Sequence, residues 1–120
     1  MTKTLTESDL GQFTGTEQWY RHGLVRSILF TDGAKHVADA GGAYWLLDEI
    51  ALAQRFDKSV ASEPFQVWTL TVMSDSSASL TCEDGNGNTV FRKIIEFTDF
   101  PLPEITLWFT DNVILLPSEY

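Results

Sequence analysis

Residues Gly42–Met73 read GAYWLLDEIALAQRFDKSVASEPFQVWTLTVM, and the period of the apolar residues changes inside this stretch. Through Gly42–Phe56 the period is helical. Tyr44, Leu46, Leu47, Ile50, Ala51 and Ala53 spread over one broad arc at about 100° per residue. Trp45, Leu52 and Phe56 form a narrower second stripe nearly opposite, flanked by Asp48 and Glu49. A helix with one wet side needs only the first arc. The second stripe therefore predicts contact with another element, a second subunit or a partner. The helix fades near Asp57–Ser59, and Pro64 closes this half of the chain.

Beyond Pro64 the period is two. Trp68, Leu70 and Val72 fall on one face of a strand, and Val67, Thr69 and Thr71 on the other. Ala78–Cys82 reads as a second strand and Thr89–Phe97 as a third. Glu83–Asn88 between them has the composition of a turn with φ > 0 positions. Pro101 and Pro103 interrupt pairing, after which Ile105–Phe109 and Val113–Leu116 face each other across Thr110-Asp111-Asn112.

Upstream, Thr6 is a good N-cap for a short helix over Leu5–Gly11, with Glu7 and Asp9 in its first turn. Gly15 and Gly23 break the next segment, so Trp19–His22 and Val25–Phe30 read as short extended pieces. Thr31-Asp32-Gly33 starts a helix stabilised by the Lys35–Asp39 pair and stopped by Gly41-Gly42. Helices first and a strand meander afterwards predict an α+β domain over residues 1–120. Its N-terminal helices pack on one face of an antiparallel sheet of about four to five strands.

The charge is uneven. The chain of 120 residues carries a net −9. Residues 1–60 hold six Lys/Arg against eight Asp/Glu; residues 61–120 hold only Arg92 and Lys93 against nine acids. Binding to a phosphate backbone comes from neutralising phosphates, so direct nucleic-acid binding is not expected. A protein partner with a basic surface is easier to accept. No apolar run approaches the length of a membrane span, and MTKTLTESDL has no apolar signal region. These features predict a soluble, cytoplasmic protein. Cys82 has no second cysteine to pair with, which fits a reducing compartment and a small hydrophobe in a strand.

Motifs for chemistry fail one by one. Asp84-Gly85-Asn86-Gly87-Asn88 places oxygens at alternate positions as calcium loops do. The glycine and glutamate that such a loop requires are replaced by Thr89 and Ile95, so a hairpin turn is expected. His22 and His36 lack metal-ligand spacing, there is no Gly-x-Ser-x-Gly elbow, and Gly41-Gly42 lacks the phosphate-loop lysine. No metal and no cofactor are expected. The best polar constellation is Thr14–His22, where alternation sets Glu17, Trp19 and Arg21 on one side and Gln18, Tyr20 and His22 on the other. Glu17, Trp19, Arg21 and His22 are the candidate ligand-binding residues, for a planar or anionic small molecule. A half-buried strand with Arg21 paired to Glu17 is the plainer alternative.

Several segments together resemble a family of small proteins from bacteria, their phages and plasmids, catalogued as a domain of unknown function. They are Phe13-Thr14-Gly15-Thr16-Glu17, Trp19-Tyr20-Arg21-His22, Thr31-Asp32-Gly33 and Ala43-Tyr44-Trp45-Leu46-Leu47-Asp48 in the first half. Phe65-Gln66-Val67-Trp68, Cys82-Glu83-Asp84-Gly85-Asn86-Gly87, Thr98-Asp99-Phe100-Pro101-Leu102 and Leu116-Pro117-Ser118-Glu119-Tyr120 extend the likeness over nearly the whole chain. The resemblance implies a bacterial or mobile-element setting and no activity.

Three functions follow as expectations. The first is a non-catalytic, acidic interaction protein that occludes a basic surface of a host protein, with Trp45, Leu52 and Phe56 as an interface for a partner or a homodimer. The second is a small-ligand, nucleotide-like binding module. The third is a small hydrolase-like enzyme using His22 or His36 with a carboxylate.

Overall fold

The computed structural model describes residues 5–13 and 18–120. In chain order its elements are α1 (Glu7–Leu10), β1 (Trp19–Arg21), β2 (Leu29–Thr31), α2 (Asp32–Gly41), α3 (Tyr44–Phe56) and α4 (Lys58–Ala61). They continue with β3 (Phe65–Val72), β4 (Ala78–Asp84), β5 (Thr89–Ile95), β6 (Glu104–Thr110), β7 (Val113–Leu115) and a closing 3-10 turn, Pro117–Glu119. The strands form one sheet in the order β1-β2-β7-β6-β3-β4-β5. Every neighbouring pair is antiparallel except β2 and β7.

The fold is α+β, with a sheet wider than expected and mixed. It has seven described strands instead of four to five, and two of them precede the helices that cover it. β1 and β2 span three residues each, too few to display alternation. The parallel pairing of Leu29 with Val113 joins positions far apart in the chain, and periodicity carries no information about such a register.

Local chemistry explains the boundaries. Thr6 and Asp9 exchange side-chain and backbone hydrogen bonds as a capping box for α1. The Thr31 hydroxyl accepts from the Ala34 amide at 3.2 Å to start α2, and Gly42, at φ 62°, ends it in the left-handed region. Asp57 ends α3 and at once caps α4, accepting from the Ser59 and Val60 amides. Asp111 and Asn112, at φ 52° and 62°, make the two-residue turn between β6 and β7. In the calcium-like loop both Asp84 oxygens are spent on Asn86 and Asn88, so the segment is a turn that holds itself.

One face of the sheet is covered. α2 packs over β1, β2 and β7, while α3 and α4 lie over the β3–β5 half. Trp68, Leu70, Leu80, Cys82, Leu107, Phe109 and Ile114 point into this layer and meet Val37, Leu46, Leu47, Ile50 and Val60. Gln66 is fully buried among them with its amide satisfied: Oε1 accepts from Gln54 and Trp68, and Nε2 donates to Gln54 and to the Val60 and Glu63 carbonyls. No helix among the described residues is long and apolar enough to cross a membrane.

Candidate binding face

Among the described residues, α2, α3 and α4 all lie on the first face of the sheet and leave the second uncovered by them. Strand alternation places Phe65, Val67, Thr69 and Thr71 of β3 there, beside Thr106, Trp108 and Thr110 of β6 and Ser79 and Thr81 of β4. At one corner the 3-10 turn lays Tyr120 against this surface. Phe65, Trp108 and Tyr120 then form a triangle of edge-to-face rings with centroids 5.0, 5.4 and 6.0 Å apart. Phe65 and Trp108 are diagonal neighbours across the β3–β6 ladder, which is why strand geometry alone brings them together.

Tyr120 is held by the residue before it. The Glu119 carboxylate accepts from the Thr31 hydroxyl at 2.6 Å, the Leu116 amide at 2.9 Å and the Gly33 amide at 3.1 Å. Gly33 lies in the first turn of α2, so an acidic group meets the positive end of that helix. A Cβ at Gly33 would stand 2.4 Å from Glu119 Oε1, which explains the glycine at that position. Beside this clamp is a cavity of about 340 Å³ lined by Trp19, Thr31, Thr110, Asp111, Val113, Leu115, Glu119 and Tyr120.

The candidate residues from the Thr14–His22 segment do not converge. Glu17 lies outside the described residues. Trp19 and Arg21 project on the open side, as alternation requires; Trp19 borders the cavity, and Arg21 donates to the Arg26 carbonyl. His22 is buried on the opposite side. Its Nδ1 accepts from the Leu24 and Val25 amides at 3.1 Å, and its Nε2 lies 2.9 Å from Asp48 Oδ1. With Nδ1 an acceptor, Nε2 carries the hydrogen and donates to Asp48. Both nitrogens are committed to joining the β1–β2 connection to α3. Spacing rules missed the pair because 26 positions separate its members.

His36 stands at a second, polar cavity of about 270 Å³ with Phe13, Tyr20, Asp32, Lys35 and Asp39. Its Nε2 is 3.7 Å from Asp9, and its ring lies 5.2 Å from that of Phe13. Lys35 bonds Asp39 at 2.6 Å, and Tyr44 also donates to Asp39. Burial works to raise the Asp39 carboxyl, but Lys35 and Tyr44 outweigh it and hold it below the usual carboxylate range. Cys82 is buried, and desolvation together with the charges of Glu63, Asp57, Glu83 and Asp84 pushes its thiol up to about 12. Among the described residues, no group of three or more His, Cys, Asp or Glu side chains is placed to hold a metal ion.

On α3 the first arc is buried through Leu46, Leu47, Ile50, Ala51 and Ala53, whereas Tyr44 at its start is exposed and bonded to Asp39. The second stripe begins with half-buried Trp45 and runs to Leu52 and Phe56, which are 36% and 81% exposed. The two acids flanking it tie α3 to other elements, Asp48 to His22 and Glu49 to Lys93 of β5.

The fold and its surfaces describe a one-sided α+β sheet protein. Residues 4–120 match a family of unknown function, DUF6876, and the chain belongs to it. It matches no curated protein and no solved structure.

Proposed function

We propose that this chain is a non-catalytic, acidic interaction protein of bacterial or mobile-element origin, acting in the cytoplasm. It occludes a basic surface of a host protein with the open face of its sheet. The observation that carries this reading is the make-up of that face. Its middle holds threonines, Val67 and the Phe65–Trp108–Tyr120 triangle. Glu63, Glu83, Asp84 and Asp111 stand at one end of the strands, and Asp75, Glu96, Asp99 and Glu104 at the other. The loops joining β3 to β7 carry no lysine or arginine, and the two arginines on this face, Arg92 of β5 and Arg21 of β1, stand on its outermost strands. An uncharged, aromatic centre inside a charged rim is the usual anatomy of a protein interface, and an acidic rim complements a basic groove. Host proteins that handle nucleic acid expose such grooves, which makes an inhibitor of one of them the concrete form of the proposal.

His22 favours this reading over a hydrolase built on that residue, since both of its nitrogens are already bonded. A small-ligand module is the second reading, favoured by the cavity beside Trp19 and Tyr120. Capture experiments with the immobilised chain separate the two. The first reading expects a captured bacterial protein that elutes as ionic strength rises and is lost with Trp108→Ala. Retention indifferent to salt and to that substitution would sink it. A thermal shift with nucleotides, abolished by Trp19→Ala, would favour the second.

A further inference from the structure

We infer that the cavity between Trp19 and Tyr120 is a receptor for an arginine side chain of the basic protein partner. The inference rests on the interaction reading above and assigns a point of contact within it. The cavity, about 340 Å³, has two exposed aromatic residues, Trp19 and Tyr120, at 54% and 77% exposure. Val113 and Leu115 supply apolar surface between them, and Asp111 supplies a carboxylate with no described hydrogen bond or ion pair of its own. Among the described residues, no lysine or arginine lines the space.

Each part of an arginine side chain finds a match here. The guanidinium is planar, weakly hydrated and attracted to aromatic faces, so Trp19 and Tyr120 suit it better than they suit a compact ammonium. Its fork of N–H donors fits a carboxylate, which Asp111 provides. Its apolar stem needs a hydrocarbon lining of the kind Val113 and Leu115 offer. A phosphate would meet the Asp111 carboxylate, so the cavity suits a cation better than an anion. Tyr120 stays in place because Glu119 is clamped to Thr31, Gly33 and Leu116, and Asp111 is carried by the two-residue turn at positive φ between β6 and β7.

The test uses the full chain labelled with 15N and titrated with acetyl-Gly-Arg-Gly-amide, its lysine counterpart and its citrulline counterpart, a neutral isostere of arginine. The arginine peptide should shift the Trp19 indole N–H and the Val113 and Tyr120 amides in a saturable way, on the order of millimolar for a single side chain. The lysine peptide should bind several-fold more weakly, and the citrulline peptide should give no saturable shift. Trp19→Ala and Asp111→Asn should each weaken arginine binding by roughly tenfold. Trp19 is exposed and asparagine tolerates the left-handed turn, so both variants should keep the melting temperature of the parent. Citrulline binding equal to arginine, shifts centred outside the cavity, or an Asp111→Asn variant with unchanged affinity would each overturn the inference. A salt-sensitive captured complex that persists while the arginine peptide fails to bind removes this contact and leaves the broader reading standing. Peptide binding without any salt-sensitive complex removes the broader reading instead.

Discussion

Under α3 and α4, Gln66 is wholly buried and every hydrogen-bonding atom of its amide is used; on the opposite face of the same sheet, Trp19 and Tyr120 stand open to solvent. Burying an amide is unfavourable unless each polar atom finds a partner, so the covered corner is complete as it stands. Large aromatic surface left in water is the reverse case, since covering it would release roughly 25 cal/mol per Å². The contrast teaches where to look for function. The Gln66 amide and the His22 ring on the covered side are consumed by the fold, and the large exposed aromatic surface of Trp19 and Tyr120 lies across the sheet.

If the covered side is closed, Cys82 should behave as an inert thiol, because its folded value of about 12 stands against an ordinary 9.0. At pH 8 the native thiolate fraction is then roughly a thousandfold below that of the unfolded chain, and alkylation by iodoacetamide should slow at least as much. Between about pH 9 and 12 the unfolded thiol ionises while the folded one keeps its proton. The Cys82 contribution to stability is therefore intact below pH 9 and falls as pH rises through that window. Native alkylation as fast as in denaturant would mean that the sheet opens readily on its helix side.

Next in size is Gln66→Leu. The substitution leaves the Trp68 indole N–H and the Val60 and Glu63 carbonyls without their buried partner, and it breaks the amide pair with Gln54. A loss of about 3 kcal/mol in urea unfolding is expected. Thr69→Val, on the same strand but facing the open side, should change stability by less than about 0.5 kcal/mol. Equal effects at the two positions would erase the distinction between the faces.

Glu119→Ala tests the seam where the two sides meet. It removes the acceptor for the Thr31 hydroxyl and for the Gly33 and Leu116 amides, at a cost of about 2 kcal/mol. It should also release Tyr120 from Phe65 and Trp108, seen as loss of ring-to-ring contacts in NMR spectra. Stability lost with the contacts retained would show that the aromatic triangle holds Tyr120 without the clamp.

The sequence displays these two regions unequally. The β3 alternation, the Thr31 cap, the Gly42 stop and the Asp111-Asn112 turn are all local signals, and each corresponds to a described boundary. Gln66 falls on the buried side of β3, yet nothing near it announces the amide of Gln54 that makes burial tolerable. The His22–Asp48 and Thr31–Glu119 pairs are just as hidden, because topology brings their members together across 26 and 88 positions. Of the aromatic corner, Trp19 is legible from its extended, polar neighbourhood. Tyr120 is not, since its position depends on a clamp to a helix near the other end of the chain.

The smallest effect concerns the second stripe of α3, and it bears on whether the open sheet face is the main unfinished surface. Phe56 is 81% exposed and Leu52 36%, so Phe56→Glu should change the stability of a single chain by less than about 0.5 kcal/mol. Light scattering gives that substitution its meaning. A parent mass of two chains that falls to one with Phe56→Glu would make the stripe a self-association surface, because a charge buried at a two-fold contact is repeated in both copies. The open sheet face would then belong to a dimer presenting two such faces to its partner. A mass of one chain for both proteins rules out that arrangement. The stripe is then exposed apolar surface of ordinary kind on a monomer, and the contrast between the covered and open sides of the sheet alone directs the search for a partner.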